Sequence, residues 1–323
     1  MKSITINYIA ITGANGFLGQ NLIKYALTQD WRVKGIVRRP KAAKIVEKLG
    51  ADPYIVKDFD IEELINIFKE CKSVVHFANI VCGTEELFEK INVKGTENII
   101  KAAEEAGINR FIYPSGLGTG VYNEYDWSSN EYFRSKFRAE DVIKNGKVPY
   151  IIFRPSYILG PGDELIPDII DQIGEDLIII AGEGKIPTQP IYVGDAVKAF
   201  LAAAKGEGED NQIYYLVGPK IINMMVIIDL VIKNIRQLGF NISYPRIKHI
   251  PFKEAPEELD LCKEMIDVMK CDLIKDGNIT AEKLKYELTP IEKAIREAVI
   301  DRMIIIGLKI KTMKHSFYQL IIT

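Results

Sequence analysis

The stretch "ITGANGFLG", residues 11–19, places Gly13, Gly16 and Gly19 at three-residue intervals, behind the apolar run "YIAIT" and at the head of the amphipathic "LGQNLIKYALTQ". Only glycine lets a backbone turn this tightly and come close to a pyrophosphate. The phosphate charge then meets N–H groups left free at the helix N-terminus. A bare strand-to-helix turn without ligand uses the same residues. The strand before it, the helix after it and its place at the start of the chain favour a dinucleotide, with Asn15, Phe17 and Leu18 completing the turn.

Outward from that turn the pattern alternates. "WRVKGIV", "PYIVKD", "SVVHFA", "RFIYPS" and "PYIIFRP" read as strands. "KAAKIVEKLG", "IEELINIFKE" and the long "ELFEKINVKGTENIIKAAEEAG" read as helices, the last closed by Gly107. Strands alternating with helices predict an α/β fold, a doubly wound parallel sheet covered on both faces, with ligands at the carboxyl ends of the strands. Beyond Pro155 the pattern loosens into the Gly- and Pro-rich "LGPGDELIP" and "AGEGKIPTQP". "IYVGDAVKAFLAAAK" follows as a strand running into a helix, which Asp195 is expected to cap, and "NQIYYLVG" as a further strand. The expected division is a dinucleotide-binding domain over residues 1–160, with 191–218 returning to it. A smaller α+β substrate cap and tail then cover 161–190 and 219–323.

The 323 residues carry 42 Lys and Arg against 44 Asp and Glu, a formal net charge of −2. That field gathers neither nucleic acid nor anionic membrane. No apolar run reaches the roughly 18 residues of a transmembrane helix. The N-terminus lacks the apolar core of a signal peptide, so a cytoplasmic location is expected. Cys71, Cys82, Cys262 and Cys271 show no Cys-x-x-Cys pairing and no neighbouring histidines, which predicts scattered reduced thiols and no bound metal. The apolar, basic end "RMIIIGLKIKTMKHSFYQLIIT" is expected to pack on the cap or on a partner chain, a homodimer being the candidate assembly, in preference to touching a membrane.

Past the second strand, "GIVRRP" carries Arg38 and Arg39 where an NAD site usually has an acid about 20 residues beyond the glycines. Two guanidiniums suit a 2′-phosphate, so NADP(H) is expected over NAD(H). Near the centre, "NEYFRSK" sets Tyr132 and Lys136 four residues apart, on one face of a helix. By spacing alone the pair is either a solvated helix surface or a phenol and ammonium that move a proton. Behind the strand that ends at Ser115, the pair falls at the sheet's carboxyl edge. There a lysine charge is expected to lower the phenol's pKa and make it usable as acid or base.

Taken together, "TGANGFLG", "VKDFD", "VVHFAN", "NVKGTENII", "RFIYPSGLG", "YFRSKFRAE", "FRPSYILGPGD" and "QPIYVGDAVKAF" resemble the short-chain dehydrogenase/reductase superfamily in its extended and atypical, epimerase/dehydratase-like branches. "SGLGTG", "QPIYVGDAV" and "YYLVGP" are most similar to the branch that includes the 39-kDa accessory subunit of respiratory complex I. The resemblance implies catalytic roles for Ser115, Tyr132 and Lys136. It also implies nucleotide contacts from Asp58 and the adjoining Phe59, from Phe77, Ala78 and Asn79, from Lys136, and from Pro155 with Ile158. Two features depart from that pattern. Gly116 stands where a second hydroxyl usually follows Ser115, and only 16 residues separate Ser115 from Tyr132, leaving Thr119 and Ser128 as alternative hydroxyls. Thr188 stands where nucleotide-sugar enzymes often have arginine. The expected activity is an NADP(H)-dependent oxidoreductase or epimerase/dehydratase working on a small carbonyl or hydroxyl compound. The alternative is a non-catalytic NADP(H)-binding structural or redox-sensing subunit.

Overall fold

In the computed structural model, which describes residues 7–120 and 130–321 with side chains to residue 307, seven strands form one parallel sheet. Its strands are β1 (Tyr8–Thr12), β2 (Arg32–Val37), β3 (Asp52–Ile55), β4 (Cys71–His76), β5 (Arg110–Pro114), β6 (Tyr150–Pro155) and, after three strands that lie outside this sheet, β10 (Gln212–Leu216), in the order β10-β6-β5-β4-β1-β2-β3. The chain leaves β1 in one direction and returns to its other side at β4, so the strand order reverses between these two parallel neighbours. That switch point lies beside the glycine turn.

Helices cover both faces. On one face α1 (Phe17–Thr28) and α8 (Val193–Lys205) pack with α2 (Pro40–Lys48) through Leu22, Val46 and Phe200. On the other, α3 (Ile61–Phe68), α5 (Gly95–Glu105) and α6 (Glu131–Asn145) pack through Leu64, Ile99 and Ile143. Each fully buried side chain of this kind contributes about 1.5–3 kcal/mol. Such burial explains the apolar runs Tyr8–Ile11 of β1 and Phe111–Tyr113 of β5: parallel strands are shielded on both sides. The long helix expected over 86–107 is divided: α4 (Glu85–Phe88) passes through a π-helical segment, Glu89–Lys94, into α5.

A third apolar cluster lies outside the sheet. It joins α7 (Leu165–Gly174), β8 (Leu177–Ala181), α9 (Met224–Gln237) and α13 (Ile291–Ile321) through Ile166, Ile180, Ile228 and Ile295. β7 (Ile158–Leu159) pairs with β9 (Ile191–Tyr192), and β8 pairs in parallel with β11 (Arg246–Ile250), a small second sheet that the loosened pattern beyond Pro155 did not reveal. The segment after β11 adds α10 (Ala255–Glu258), α11 (Lys263–Met269) and α12 (Asn278–Lys283). The chain is therefore a doubly wound α/β fold with a smaller C-terminal α+β part.

Two expectations need correcting. Asp195 does not cap α8: the helix starts at Val193, and the buried Asp195 carboxylate instead accepts bonds from the Thr289 N–H at 2.6 Å and hydroxyl at 2.9 Å. It thereby ties the segment before α13 to the main sheet. Second, Cys82 and Cys262 form a disulfide, with Cα atoms 5.9 Å apart across 180 residues of sequence, while Cys71 and Cys271 are free and buried. The bond joins the loop after β4 to the segment before α11. Such a pairing depends on tertiary proximity, which cysteine spacing does not encode. The helix α13 starts at Ile291 and runs without a break into the tail, where Met303 and Ile306 pack on the third cluster and Ile304 and Ile305 stay exposed. Among the described residues no helix is long and apolar enough to cross a membrane, and no cluster of His, Cys, Asp or Glu is arranged to hold a metal ion.

Candidate active site

The three glycines of the turn have different physical roles. Gly13 has φ +64°, a conformation that favours glycine, and a Cβ there would lie 2.8 Å from the Ala78 nitrogen. Gly19 presses α1 onto the turn, since a Cβ would meet the Gly13 carbonyl oxygen at 2.5 Å. Gly16 is the N-cap of α1 and supplies no side-chain cap, while its own Cβ position is the least crowded of the three, 3.3 Å from the Gly13 oxygen. The turn is thus built by Gly13 and Gly19 and kept low at Gly16, over the helix N-terminus. That cradle fits a pyrophosphate. Asn15 is held by its carbonyl, which accepts from Gln20 Nε2, and Phe17 and Leu18 are half-buried against the first core.

Arg38 and Arg39 follow β2 and are exposed, and among the described residues neither guanidinium has a hydrogen-bond or ion-pair partner. Beyond β3, Asp58 and Phe59 both have positive φ, 48° and 54°, which is uncommon for two successive non-glycine residues. Phe59 fills the space left by Gly95, whose Cβ would fall 2.6 Å from the ring, and Asp58 pairs with Lys90 at the surface. At the end of β4, Phe77 stacks edge-on against Phe200, the Ala78 N–H donates to Thr12 Oγ1 at 3.2 Å, and Asn79 is half-buried. The loop continues to Ile80, whose N–H and carbonyl are both bound by the side chain of Asn92. Asn92 lies in the π-helical segment and also donates to Ser135 Oγ on α6, 2.9 Å away. This clamp was not singled out from sequence, although Asn92 begins the quoted "NVKGTENII".

His76 is wholly buried between Thr12 Oγ1, at 2.6 Å, and Thr96 Oγ1, at 3.0 Å. Burial, with the Lys136 charge nearby, pushes its pKa down to about 3. The folded value is below the ordinary 6.5, so stability from the neutral ring is complete above pH 6.5 and is lost as pH falls toward 3. Chemical denaturation between pH 6.5 and 5, above the carboxylate range, should show stability falling by up to about 1.4 kcal/mol per pH unit. In a His76→Gln protein that slope should flatten, and an unchanged slope would assign it to another group.

Tyr132 and Lys136 stand on α6, whose N-cap Asn130 accepts from the Phe133 N–H at 3.1 Å. Lys136 is buried, donates to the Pro114 carbonyl at 3.0 Å and lies 5.8 Å from the Tyr132 ring centre and 4.6 Å from that of Tyr113. The helix face therefore turns inward, against the end of β5. Burial pushes Lys136 down to about 7, opposed by the Glu140 charge, and pushes Tyr132 up to about 12. The phenol shift is opposite to that expected from the spacing. The ammonium bonds a backbone carbonyl, and burial of the phenol sets the direction of its shift.

Ser115, next to the Pro114 carbonyl that Lys136 bonds, is buried, its hydroxyl 3.1 Å from that of the buried Thr119 and bonded to the Glu140 carboxylate. Ser128 lies outside the described residues. Beneath the pair, Glu140 takes a two-pronged bond from Arg154, 3.0 Å to Nε and 2.7 Å to Nη2. Burial alone would raise its carboxyl, but the Arg154 bonds outweigh this and hold it below the usual range. Glu140 was not singled out either, though it lies four residues past Lys136 on the same helix face. Pro155 ends β6 and Ile158 opens β7, both half-buried, with Ser156 and Tyr157 between them.

Comparison with known proteins gives the family and the fold. The model of the "NAD dependent epimerase/dehydratase family" matches residues 9–218. A farnesyl-dihydroquinoline-oxide ketoreductase of Stigmatella aurantiaca is 27% identical over 223 residues, 64% of this chain and 66% of its own. The mitochondrial NADH dehydrogenase [ubiquinone] 1 alpha subcomplex subunit 9 of Arabidopsis thaliana is 28% identical over 262 residues, 76% of this chain and 60% of its own. The chain thus spans less than two thirds of the length of these relatives. Among solved structures, the UDP-glucuronic acid 4-epimerase of Bacillus cereus with UDP-glucuronic acid and NAD superposes with a TM-score of 0.71 at 18% identity, over 92% of this chain and 99% of that one.

Proposed function

Because this chain belongs to the NAD dependent epimerase/dehydratase family, we propose that it is an NADP(H)-dependent oxidoreductase or epimerase acting on a small carbonyl or hydroxyl compound. The observation that carries the proposal is the burial of Lys136 between the Pro114 carbonyl and the Tyr132 ring, at the same sheet edge as the glycine turn. In this reading residues 1–160 and 191–218 hold the nucleotide, while 161–190 and 219–323 cover the substrate. Gly13, Asn15, Gly16, Phe17, Leu18 and Gly19 cradle the pyrophosphate, and Arg38 and Arg39 take a 2′-phosphate. Asp58 and Phe59 border the adenine, Phe77, Ala78 and Asn79 the ribose, and Pro155 and Ile158 the nicotinamide. The bound nucleotide supplies or accepts hydride.

Tyr132, held protonated by its raised pKa at neutral pH, gives its proton to a substrate oxygen. Lys136 in its charged form stabilises the phenolate left behind, and Ser115, with Thr119 behind it, orients the substrate oxygen. The cofactor assignment is tested by calorimetry. NADPH should bind at least tenfold tighter than NADH, because one charge-assisted contact contributes about 1.5–3 kcal/mol. The Arg38→Ala, Arg39→Ala double variant should lose most of that preference. Equal affinity in the unmodified protein rules the 2′-phosphate site out. A second reading, a nucleotide-binding subunit without turnover, is favoured by Gly116 and by the similarity to the Arabidopsis subunit over 76% of the chain. It requires that no carbonyl in a broad panel oxidise NADPH.

A further inference from the structure

A cavity of about 510 Å³ opens beside this site, within the usual range for small-molecule pockets. Its floor is apolar, made by Ile169, Ile178, Ile180, Ile227 and Ile228 from α7, β8 and α9. One wall comes from α11 and the residues flanking it, with Met265, Val268 and Cys271 facing the space. Val268 and Cys271 also pack against Tyr132 and Phe133, so the same side chains border both the cavity and the proposed proton donor. Tyr157 lines the cavity just past the carboxyl end of β6. Among the described residues that line it there is no Lys, Arg or His. The charges present are the carboxylates of Glu164 and Asp168, both exposed at the mouth, and Asp168 accepts a bond from Gln172 Nε2 at 2.7 Å.

A nucleotide-sugar diphosphate needs cations or clustered N–H donors to replace its water. This wall offers aliphatic carbon and negative charge. Thr188, also on the wall, has its N–H and carbonyl engaged with Ile222 at 2.7 and 2.8 Å and adds no cation. Resting on the oxidoreductase reading above, we infer that the cavity takes the aliphatic chain of the substrate, with the reacting oxygen at the Tyr132 end. The substrate class is an uncharged carbonyl or alcohol with a hydrocarbon chain.

The test uses the full chain and straight-chain methyl ketones from butan-2-one to decan-2-one, with UDP-glucose as the polar competitor. Binding to the NADPH-loaded protein is read by calorimetry, and NADPH oxidation is read separately. Each added methylene should strengthen binding about fourfold until the cavity is full, so decan-2-one should bind at least fiftyfold tighter than butan-2-one. Met265→Trp, which narrows the space from its half-buried side, should erase most of that difference with NADPH affinity unchanged. Met224→Trp serves if the first variant loses its fold by circular dichroism. Equal binding along the series, or UDP-glucose binding tighter than decan-2-one, overturns the inference. Turnover of short ketones without chain dependence also overturns it while the oxidoreductase reading stands. Chain-dependent binding with no NADPH oxidation for any ketone keeps the cavity assignment and removes the catalytic reading.

Discussion

A Tyr132→Phe protein should turn over about 10²- to 10⁴-fold more slowly than its parent, with nucleotide affinity almost unchanged. The substitution keeps the ring, its packing on Phe133 at 5.3 Å between centroids and its place over Lys136, and removes only the hydroxyl. Lys136→Ala should differ: turnover falls and nucleotide binding weakens as well, because the same ammonium would serve phenol and ribose. The pH profile gives a further check. Charge on Lys136 is present below about pH 7, so reduction of a carbonyl should slow as pH rises through that value, when the phenolate loses its counter-charge. Tyr132→Phe working at the parental rate on a ketone that the parent reduces would dismiss the proton-transfer role.

The second large effect is on stability. Glu140→Ala should destabilise the fold by about 3–5 kcal/mol, since it leaves the Arg154 guanidinium buried without its carboxylate. Denaturant midpoints measure this, and Lys136, which feels the Glu140 charge, should titrate lower still in the variant. The Glu140 carboxyl is held below its ordinary value, so its contribution is complete above about pH 4.5 and is lost as pH falls through the folded value. A loss under about 1 kcal/mol would mean that water reaches the Arg154 guanidinium once the carboxylate is gone.

Local sequence was enough wherever a residue type has few physical options. Gly13 and Gly19 allow a turn that no side chain tolerates, and the apolar runs Tyr8–Ile11 of β1 and Phe111–Tyr113 of β5 demand a sheet buried on both faces. The α/β class, the glycine turn and the placing of Tyr132 and Lys136 on one helix face were therefore legible from residues 8–136 alone. Tertiary structure decided everything that depends on which distant segments meet. The Cys82–Cys262 bond, the Asp195–Thr289 anchor and the Glu140–Arg154 pair join residues whose spacing carries no period. The direction of the Tyr132 and Lys136 shifts also belongs to the fold. It follows from how much water the surrounding chain removes, a property of the packed volume that no spacing of two residues on a helix can express.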